Sequence, residues 1–396
     1  MSITLIAGAT NYAGWKSISV TASLKNAARD FTATVSEISD SSLISAFWIA
    51  PGTPVAILVD GQPVLTGFVN KYEPSIDANS HSVTISGRSS SQDAVDSSAM
   101  HETGRFEDMT TVEIANQLSG EVGISTITDQ AVTKLKKFQL DVGETIFSAI
   151  DRLARIDGLS VTGTADGNMM MTKAGPGFYA GYLGEGSPPL LSIRATIEDT
   201  KKFSSYEMRS QLAGYQNQYG TDSNEQVSRV KDGTVKRNRP KVMISETAAD
   251  SQSNQKRAQW QAVRIAGDQV KVSAICQGHR FNGQLWEPNK RIFVLSPAMK
   301  LAHTLLVERV TWTQDEGGEK TRLELVPPSS YEGETSRNNA GSKTAAPASI
   351  EASGTNAPRG GASSGSQAGS SAFDGSTPEV DITPPAAITA SPGLAI

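Results

Sequence analysis

The sequence is poor in the residues that build disulfides and metal centres. Its single cysteine, Cys276, excludes an internal disulfide and a multi-cysteine metal site. Only four histidines occur, and they are far apart in the chain, at His81, His101, His279 and His303. A histidine-based metal cluster is therefore not expected. We predict that the chain has neither a metal site nor a cofactor site.

Long apolar runs are also absent. No segment approaches the roughly 18–20 consecutive apolar residues that a membrane-spanning helix needs. The N-terminal stretch MSITLIAGATNYAGW lacks the basic start and the long apolar core of a secretory signal. We therefore expect a protein that is made in a reducing compartment and has no stable membrane association.

Excess positive charge is missing as well. The formal net charge of -5 gives no overall attraction to nucleic acid. One basic run, Lys231–Lys241 (KDGTVKRNRPK), could contact phosphates, but no aromatic residue is interleaved with it to stack on bases. Asp232-Gly233 and Pro240 instead favour a charged turn that is solvated or contacts an acidic protein neighbour.

The chain offers few candidates for catalysis. Gly361–Gly365 (GASSG) matches the G-x-S-x-G nucleophile motif, but it lies in a low-complexity stretch with no histidine after His303. We interpret it as a chance match. Three carboxylate pairs could be proposed for glycoside hydrolysis: Asp315 with Glu316, Asp141 with Glu144, and Glu107 with Asp108. All lie beside glycine or turn residues, where acidic side chains are solvated or cap the backbone, so we predict no catalytic residue.

The first segment, residues 1–97, has the alternating pattern of β-strands. From Pro54 onward it predicts strand, turn, strand, polar loop and strand, and Asp60-Gly61 is a strong hairpin signal. The alternating apolar positions are Val55, Ile57, Val59, Val83 and Ile85, preceded by Ile18, Val20, Phe31, Ala33 and Val35.

The second segment, residues 98–180, changes to a helical period. A first helix is predicted from Thr110, and a clearer one over Glu144–Ile156, with Asp151 and Arg155 paired on its polar side and Gly158 as its left-handed stop. The apolar positions of the two helices are Val112, Ala115, Leu118 and Val122, then Ile146, Phe147, Ile150, Leu153 and Ala154. A hairpin follows over residues 159–172, so we expect a small α/β packing module.

The third segment, residues 181–330, mixes strands with one helix. Residues 196–219 carry a weak β pattern, and Thr247–Ala266 is predicted to be helical. Strands are predicted over Val270–Ile275 and Arg291–Ser296, and a closing hairpin over residues 303–326. His279, His303 and Cys276 lie in this strand-like context, where we expect core or interface positions.

The last segment, residues 331–396, consists almost entirely of small and polar residues. Its only aromatic residues are Tyr331 and Phe373. Such a segment cannot bury enough apolar surface to offset an ordering entropy of roughly 1–2 kcal/mol per residue. We expect an extended or disordered tail.

Three stretches of the chain together indicate a family. They are GRSSSQDAVDSSA at the end of the first segment, DVGETIFSAIDRLARIDGLSVTGTADGNMMM in the second, and RPKVMISETAADSQSNQKRAQWQAVRIAGDQVKVSAICQGHRFNGQLWEPNKRIFVLSP followed by LLVERVTWTQDEGGEKTRLELVPPSSYE in the third. Their order resembles the baseplate hub proteins of contractile-tailed phages, particularly the Mu-type hub and late-control D proteins. The resemblance covers about residues 10–332.

That resemblance implies a mainly β protein with an α+β insert. Two tail-tube-like β-barrel domains, at residues 1–97 and 181–330, would accompany a LysM-like α/β domain at 98–180 and the tail at 331–396. It also implies a homotrimer whose ring adapts a sixfold tail tube to a threefold central spike and leaves a channel for DNA. The spike would be a separate protein, because the tail has no strand repeat.

The implied partners are the tail tube or distal tail protein, the central spike protein and other baseplate proteins, with DNA only in passage. The implied location is the virion tail baseplate, after assembly in the host bacterial cytoplasm.

Two alternatives remain open. One is a cell-wall-degrading tail enzyme, prompted by the LysM-like module. The other is a carbohydrate-binding β module, prompted by Trp15, Trp48, Trp260, Trp286 and Trp312, although core or interface packing is favoured for these side chains.

Overall fold

The computed structural model describes residues 3–8, 10–37, 48–77, 81–200, 202–211, 225–233, 235–244 and 270–331. The protein is mainly β, as the sequence predicts. The chain divides into a main unit, residues 1–202 and 260–335, and a small unit, residues 203–259 and 336–396. The predicted helix at 247–266, the GASSG motif and the tail beyond Tyr331 lie outside the described residues.

Seven antiparallel strands open the main unit. They are β1 (Ile3–Ala7), β2 (Thr10–Tyr12), β3 (Ser17–Ser23), β4 (Asp30–Glu37), β5 (Pro54–Val59), β6 (Gln62–Ile76) and β7 (His81–Ser89). Their order in the sheet is β3-β4-β7-β6-β5-β1-β2. The Asp60-Gly61 hairpin is confirmed, with both residues at positive φ, and the predicted alternation places Val55, Ile57 and Val59 in the core.

An α/β module follows, with its own apolar cluster. Its elements are α1 (Gln92–Asp96), β8 (Arg105–Thr110), α2 (Thr111–Gly120), β9 (Thr126–Thr128), β10 (Lys134–Gln139), α3 (Ile146–Ile156), β11 (Ser160–Gly163) and β12 (Met169–Thr172). The predicted α3 stripe is confirmed, and Gly158 ends the helix at φ +66°. In α2 the predicted stripe needs a correction, because Ile114 is buried whereas Val112 and Val122 are only partly buried.

The remaining strands run from Gly177 to Val326. They are β13 (Gly177–Gly184), β14 (Leu190–Ile197), β15 (Ser205–Gln211), β16 (Glu225–Lys231), β17 (Pro240–Ile244), β18 (Val270–Gln277), β19 (Arg280–Phe281), β20 (Gln284–Leu285), β21 (Lys290–Ser296), β22 (Leu301–Asp315) and β23 (Gly318–Val326). The sequence predicted β18, β21 and the β22–β23 hairpin, but not β13 or most of β14.

One strand pair joins the two ends of the main unit. β22 pairs with β3 from Arg309↔Ser23 to Asp315↔Ser17, which makes a continuous sheet of order β14-β18-β23-β22-β3-β4-β7-β6-β5-β1-β2, with β21 and β13 branching from β22. A single apolar cluster lies against this sheet and contains residues from both ends of the chain, including Val20, Ile57, Trp286 and Trp312. This β3–β22 pairing, called the β3–β22 joint, therefore gives the two β-rich segments one common core.

The small unit contains a three-stranded sheet of order β16-β15-β17. Met208 and Val230 are buried on one face, where Met243 packs against them. On the other face, Glu207 contacts both Arg209 and Arg229. The weak β pattern predicted over residues 196–219 thus corresponds to the end of β14 and to β15.

A buried arginine connects the sheet to the α/β module. Arg29 is 9% exposed, and its guanidinium donates to the carbonyl oxygens of Gly163 (3.1 Å) and Val64 (2.7 Å). Burial lowers the pKa of Arg29 to about 10, so the side chain remains charged near neutral pH. A Cβ on Gly163 would lie 1.9 Å from the Ala27 carbonyl oxygen, so the two parts approach each other as closely as a glycine allows.

The Asp60-Gly61 turn touches the other half of the main unit. Asp60 is paired with Arg280 at 3.2 Å, and the neighbouring His279 is 1% exposed and shares a 3.2 Å hydrogen bond with Thr321. Burial lowers the pKa of His279, and attraction to Glu319 and Asp60 opposes that shift only in part. His279 is thus a core residue, as expected.

Replacing Arg29 with methionine should lower the free energy of unfolding by about 2–4 kcal/mol, because two buried carbonyl groups lose their donors. Urea unfolding at pH 7.5 measures the change. The matched control is Arg322→Met, since Arg322 is exposed on β23 and should change stability little. Equal losses in the two variants would contradict the role given to Arg29.

The protein should lose stability on acidification through His279. Because the folded-state pKa of this histidine lies below its unfolded value of about 6.5, the unfolded chain binds the proton more readily as pH falls through that range. Unfolding free energies at pH 7.5 and 5.5 should therefore differ more in the native protein than in His279→Gln. Identical pH dependence of the two proteins would show that the histidine is not responsible.

Candidate functional site: a hydroxyl-lined sheet face

The central strands of the main sheet carry hydroxyl side chains on the face opposite the core. Strands β3, β4, β7 and β22 alternate between buried apolar residues and exposed or half-buried serines and threonines. The hydroxyl residues are Ser17, Ser19, Thr21, Thr32, Thr34, Ser82, Thr84, Ser86, Thr311 and Thr313. This set is called the hydroxyl face below.

Strand register aligns these residues in rows across the sheet. One row runs Thr313, Ser19, Thr32 and Ser86 through successive strand pairs. Two neighbouring pairs share hydrogen bonds between their side chains, Thr21 with Thr311 at 3.3 Å and Thr34 with Thr84 at 3.2 Å. Cross-strand threonine pairs of this kind stabilise a sheet and hold the hydroxyls in place.

Several of the charges that flank the hydroxyl face are paired. Arg88 contacts Asp96, Arg309 lies 3.6 Å from Glu324, and Lys320 lies 4.0 Å from Asp315. Tight binding of phosphates needs lysine or arginine side chains that are available to replace counterions. The hydroxyl face therefore offers neutral hydrogen-bonding groups, and the strands beside it carry paired charges together with the exposed cations Lys71, the partner of Ser86, and Arg322, the partner of Thr311.

The three carboxylate pairs that were considered for glycoside hydrolysis, and not expected to be catalytic, have structural contacts. Glu144 accepts a 2.8 Å hydrogen bond from the Asp141 backbone and contacts Arg152. Asp315 accepts a 2.7 Å bond from Gly317 in the β22–β23 turn, and Glu107 contacts Arg105. Each pair therefore has at least one carboxylate that caps the backbone, forms a turn or contacts an arginine.

The basic run Lys231–Lys241 connects the end of β16 to the start of β17. The fold brings it an aromatic partner that sequence reasoning missed. The Phe203 ring lies 5.4 Å from the Arg239 guanidinium and 5.0 Å from the Lys241 ammonium group. Because Phe203 is outside the run in sequence, only the pairing of β15 with β17 reveals these cation–π contacts.

The structure places the tryptophans, the cysteine and two further histidines, His101 and His303, as follows. Trp15, Trp286 and Trp312 are buried, Trp260 is outside the described residues, and Trp48 is 60% exposed, with its ring 4.6 Å from that of Tyr72. Cys276 is fully buried, and burial raises its pKa to about 12, which makes the thiol unreactive. His101 contacts Phe106, and His303 is exposed on β22.

Within the described ranges, no cluster of three or more histidine, cysteine or acidic side chains has a geometry that could hold a metal ion. Over the same part of the chain, no helix has both the length and the apolar character needed to cross a membrane.

Three family models match the chain in order. Residues 2–89 match the N-terminal domain of the Mu phage baseplate assembly protein GpP-like family, residues 91–173 the second domain of gp44-like baseplate hub proteins, and residues 250–334 the fourth domain of Mu phage baseplate assembly protein GpP. Together they cover well over half of the chain.

Whole-chain relatives agree with these domain matches. The baseplate hub protein gp44 of Escherichia phage Mu is 28% identical over 342 residues, which cover 82% of this chain and 88% of the relative. The 43 kDa tail protein of prophage MuSo2 from Shewanella oneidensis matches 84% of this chain and 99% of its own, with TM-score 0.76 and 25% identity. A tail protein from Neisseria meningitidis MC58 shares the fold, with TM-score 0.69 and 17% identity over 83% of this chain and 98% of its own.

Strands β1–β7, the α/β module and the β22–β23 hairpin fall within the regions matched by the family models, whereas β13 and β14 lie between the second and the third match. The chain belongs to the family of Mu-type baseplate hub proteins and is a hub protein of a phage tail baseplate.

Proposed function

We propose that this hub protein forms a homotrimeric ring in a contractile tail. The ring would adapt a sixfold tail tube to a threefold central spike and leave a channel for DNA. Such an adaptor needs each chain to supply two similar units, because three chains then present six units to the tube and three equivalent positions to the spike. Residues 1–97 and 181–330 would be these tube-like units, with the LysM-like module at 98–180 outside the ring and the tail at 331–396 extended from it.

The order of strands in the main sheet supports two similar units per chain. On one side of the β3–β22 joint, the sheet continues as β3-β4-β7-β6. On the other side it continues as β22-β23-β18-β14. Both are runs of antiparallel strands with one face on the shared apolar cluster. Each run is a candidate for one tube-like unit.

The hydroxyl face is the observation that carries the proposed channel. DNA has a charge about every 1.7 Å along its axis, so a lining rich in unpaired lysine or arginine would retain it. A lining of serine and threonine instead offers weak, exchangeable hydrogen bonds to water and phosphate. We place the hydroxyl face of β22, β3, β4 and β7 along the channel.

The proposed partners are the tail tube or distal tail protein, the central spike protein and other baseplate proteins, with DNA passing through without stable binding. The protein would act as a structural component of the virion with no catalytic role and would be assembled in the host cytoplasm. A carbohydrate-binding module is the second candidate, favoured only by the exposed Trp48 ring and its contact with the half-buried Tyr72. Retention of the purified chain on a cell-wall column, and its loss in Trp48→Ala, would support that candidate.

Light scattering of the purified chain should give three times the 41.9 kDa chain mass. Heterologous contacts that close a ring hold the copies together, so the trimer should persist on dilution to micromolar concentration. A stable monomer under these conditions would contradict the hub proposal.

Lysines on the hydroxyl face should slow the passage of DNA. The double substitution Thr32→Lys and Ser86→Lys changes two residues that are partners in the β4–β7 register. Particles carrying it should assemble normally but deliver DNA roughly tenfold less efficiently, because the added cations retain phosphates. The matched control is Thr32→Asn with Ser86→Asn, which is neutral. Equal delivery by both variants would argue that this face lies away from the DNA.

A further inference from the structure

Two outer edges of the main sheet, apart from those of β2 and β13, differ in sequence. They bound the eight antiparallel strands β14-β18-β23-β22-β3-β4-β7-β6, and only the first part of β6 pairs onward with β5. Among the residues that the structure describes, no strand pairs with the outer side of β14, and none pairs with Lys71–Ile76 of β6 on the side away from β7. Exposed strand edges present backbone donors and acceptors that invite another strand, so proteins leave them open rarely.

The two edges have matching faces. On β14, Ile193 and Ala195 pack toward the core, and Ile197 is 67% exposed. On β6, Tyr72 packs toward the core because it is the partner of buried Ile85, and Ile76 is 67% exposed. Each edge therefore carries apolar side chains on the core face that are incompletely covered.

The polar faces of the edges are also complementary. Glu73 is the β6 partner of Thr84, so it lies on the side of the hydroxyl face, and Arg194 is the β14 partner of Ser273 on that same side of the sheet. Both side chains are exposed, and within the described chain neither forms an ion pair. One edge thus offers an anion and the other a cation.

Strand direction permits the two edges to meet. Every neighbouring pair along the eight-strand path is antiparallel, so β14 and β6 run in opposite directions. When rotation about a ring axis brings β14 of one copy beside β6 of the next, the new pair is antiparallel too. The alternation of the sheet then continues across the boundary without interruption.

We propose that β14 of each protomer pairs with Lys71–Ile76 of the neighbouring copy, with Arg194 facing Glu73. In this antiparallel register Ser192 faces Ser75, and Ala195 faces Tyr72. The contact joins two different edges, so it is head-to-tail and not a twofold dimer contact, and it gives a closed ring when three copies complete a full rotation. The inference rests on the proposed trimer and assigns the surface that holds it together.

Charge reversal tests the joint directly. Glu73→Arg and Arg194→Glu should each raise the concentration at which half of the chain is trimeric by about tenfold, because like charges then face each other. The double variant, with the charges exchanged, should recover most of the loss. Glu102→Arg is the control, since Glu102 is an exposed residue of the α/β module, away from both edges, and should leave the trimer unchanged.

Cysteine cross-linking gives a second test that does not depend on folding energetics. With Ser75→Cys and Ser192→Cys in one chain, mild oxidation should convert the trimer into covalently linked dimers and trimers. Each single variant should give none, because Cys276 is buried and contributes no reactive thiol.

The outcomes separate this joint from the hub proposal itself. A native chain that is monomeric would overturn both. A trimer that ignores both charge reversals and fails to cross-link would overturn the β14–β6 joint while leaving the hub function standing.

Discussion

The pairing of β3 with β22 is the constraint on which the rest of the main unit depends. These strands lie at opposite ends of the described chain, and their Thr21 and Thr311 side chains, 290 residues apart in sequence, share a hydrogen bond. The register of the β3–β22 pair fixes which side chains of the two halves lie on the same face of the sheet. Since one face is buried over a common apolar cluster, the other must be polar, and serine and threonine occupy it.

The same constraint explains the chemistry that the protein offers. A sheet continuous across two halves presents one long surface rich in hydroxyl side chains, and the candidate acidic residues take part in turns, caps and ion pairs. The function of a hub protein then depends on its contact surfaces and not on a catalytic pocket. Arg29 holds the α/β module against the sheet, whereas among the described residues no strand pairs with the outer side of β14 or of Lys71–Ile76 in β6.

Local features were predictable from the sequence, and non-local ones were not. The Asp60-Gly61 hairpin, the α3 stripe and the β22–β23 hairpin follow from periods and turn residues within short windows. β13 and β14 escaped prediction because register shifts interrupt both pairings and neither strand has a clean alternation. The hydroxyl rows, the contacts of Phe203 and the buried Arg29 depend on strands that are distant in sequence, so no short pattern reveals them.

Single-particle electron imaging of the purified chain tests the central claim most directly. We expect a closed ring with threefold symmetry and a central channel, in which β22, β3, β4 and β7 of every protomer turn their hydroxyl face toward the opening. A ring whose channel is lined by other elements, with the hydroxyl face on the outside or buried against a neighbour, would contradict it.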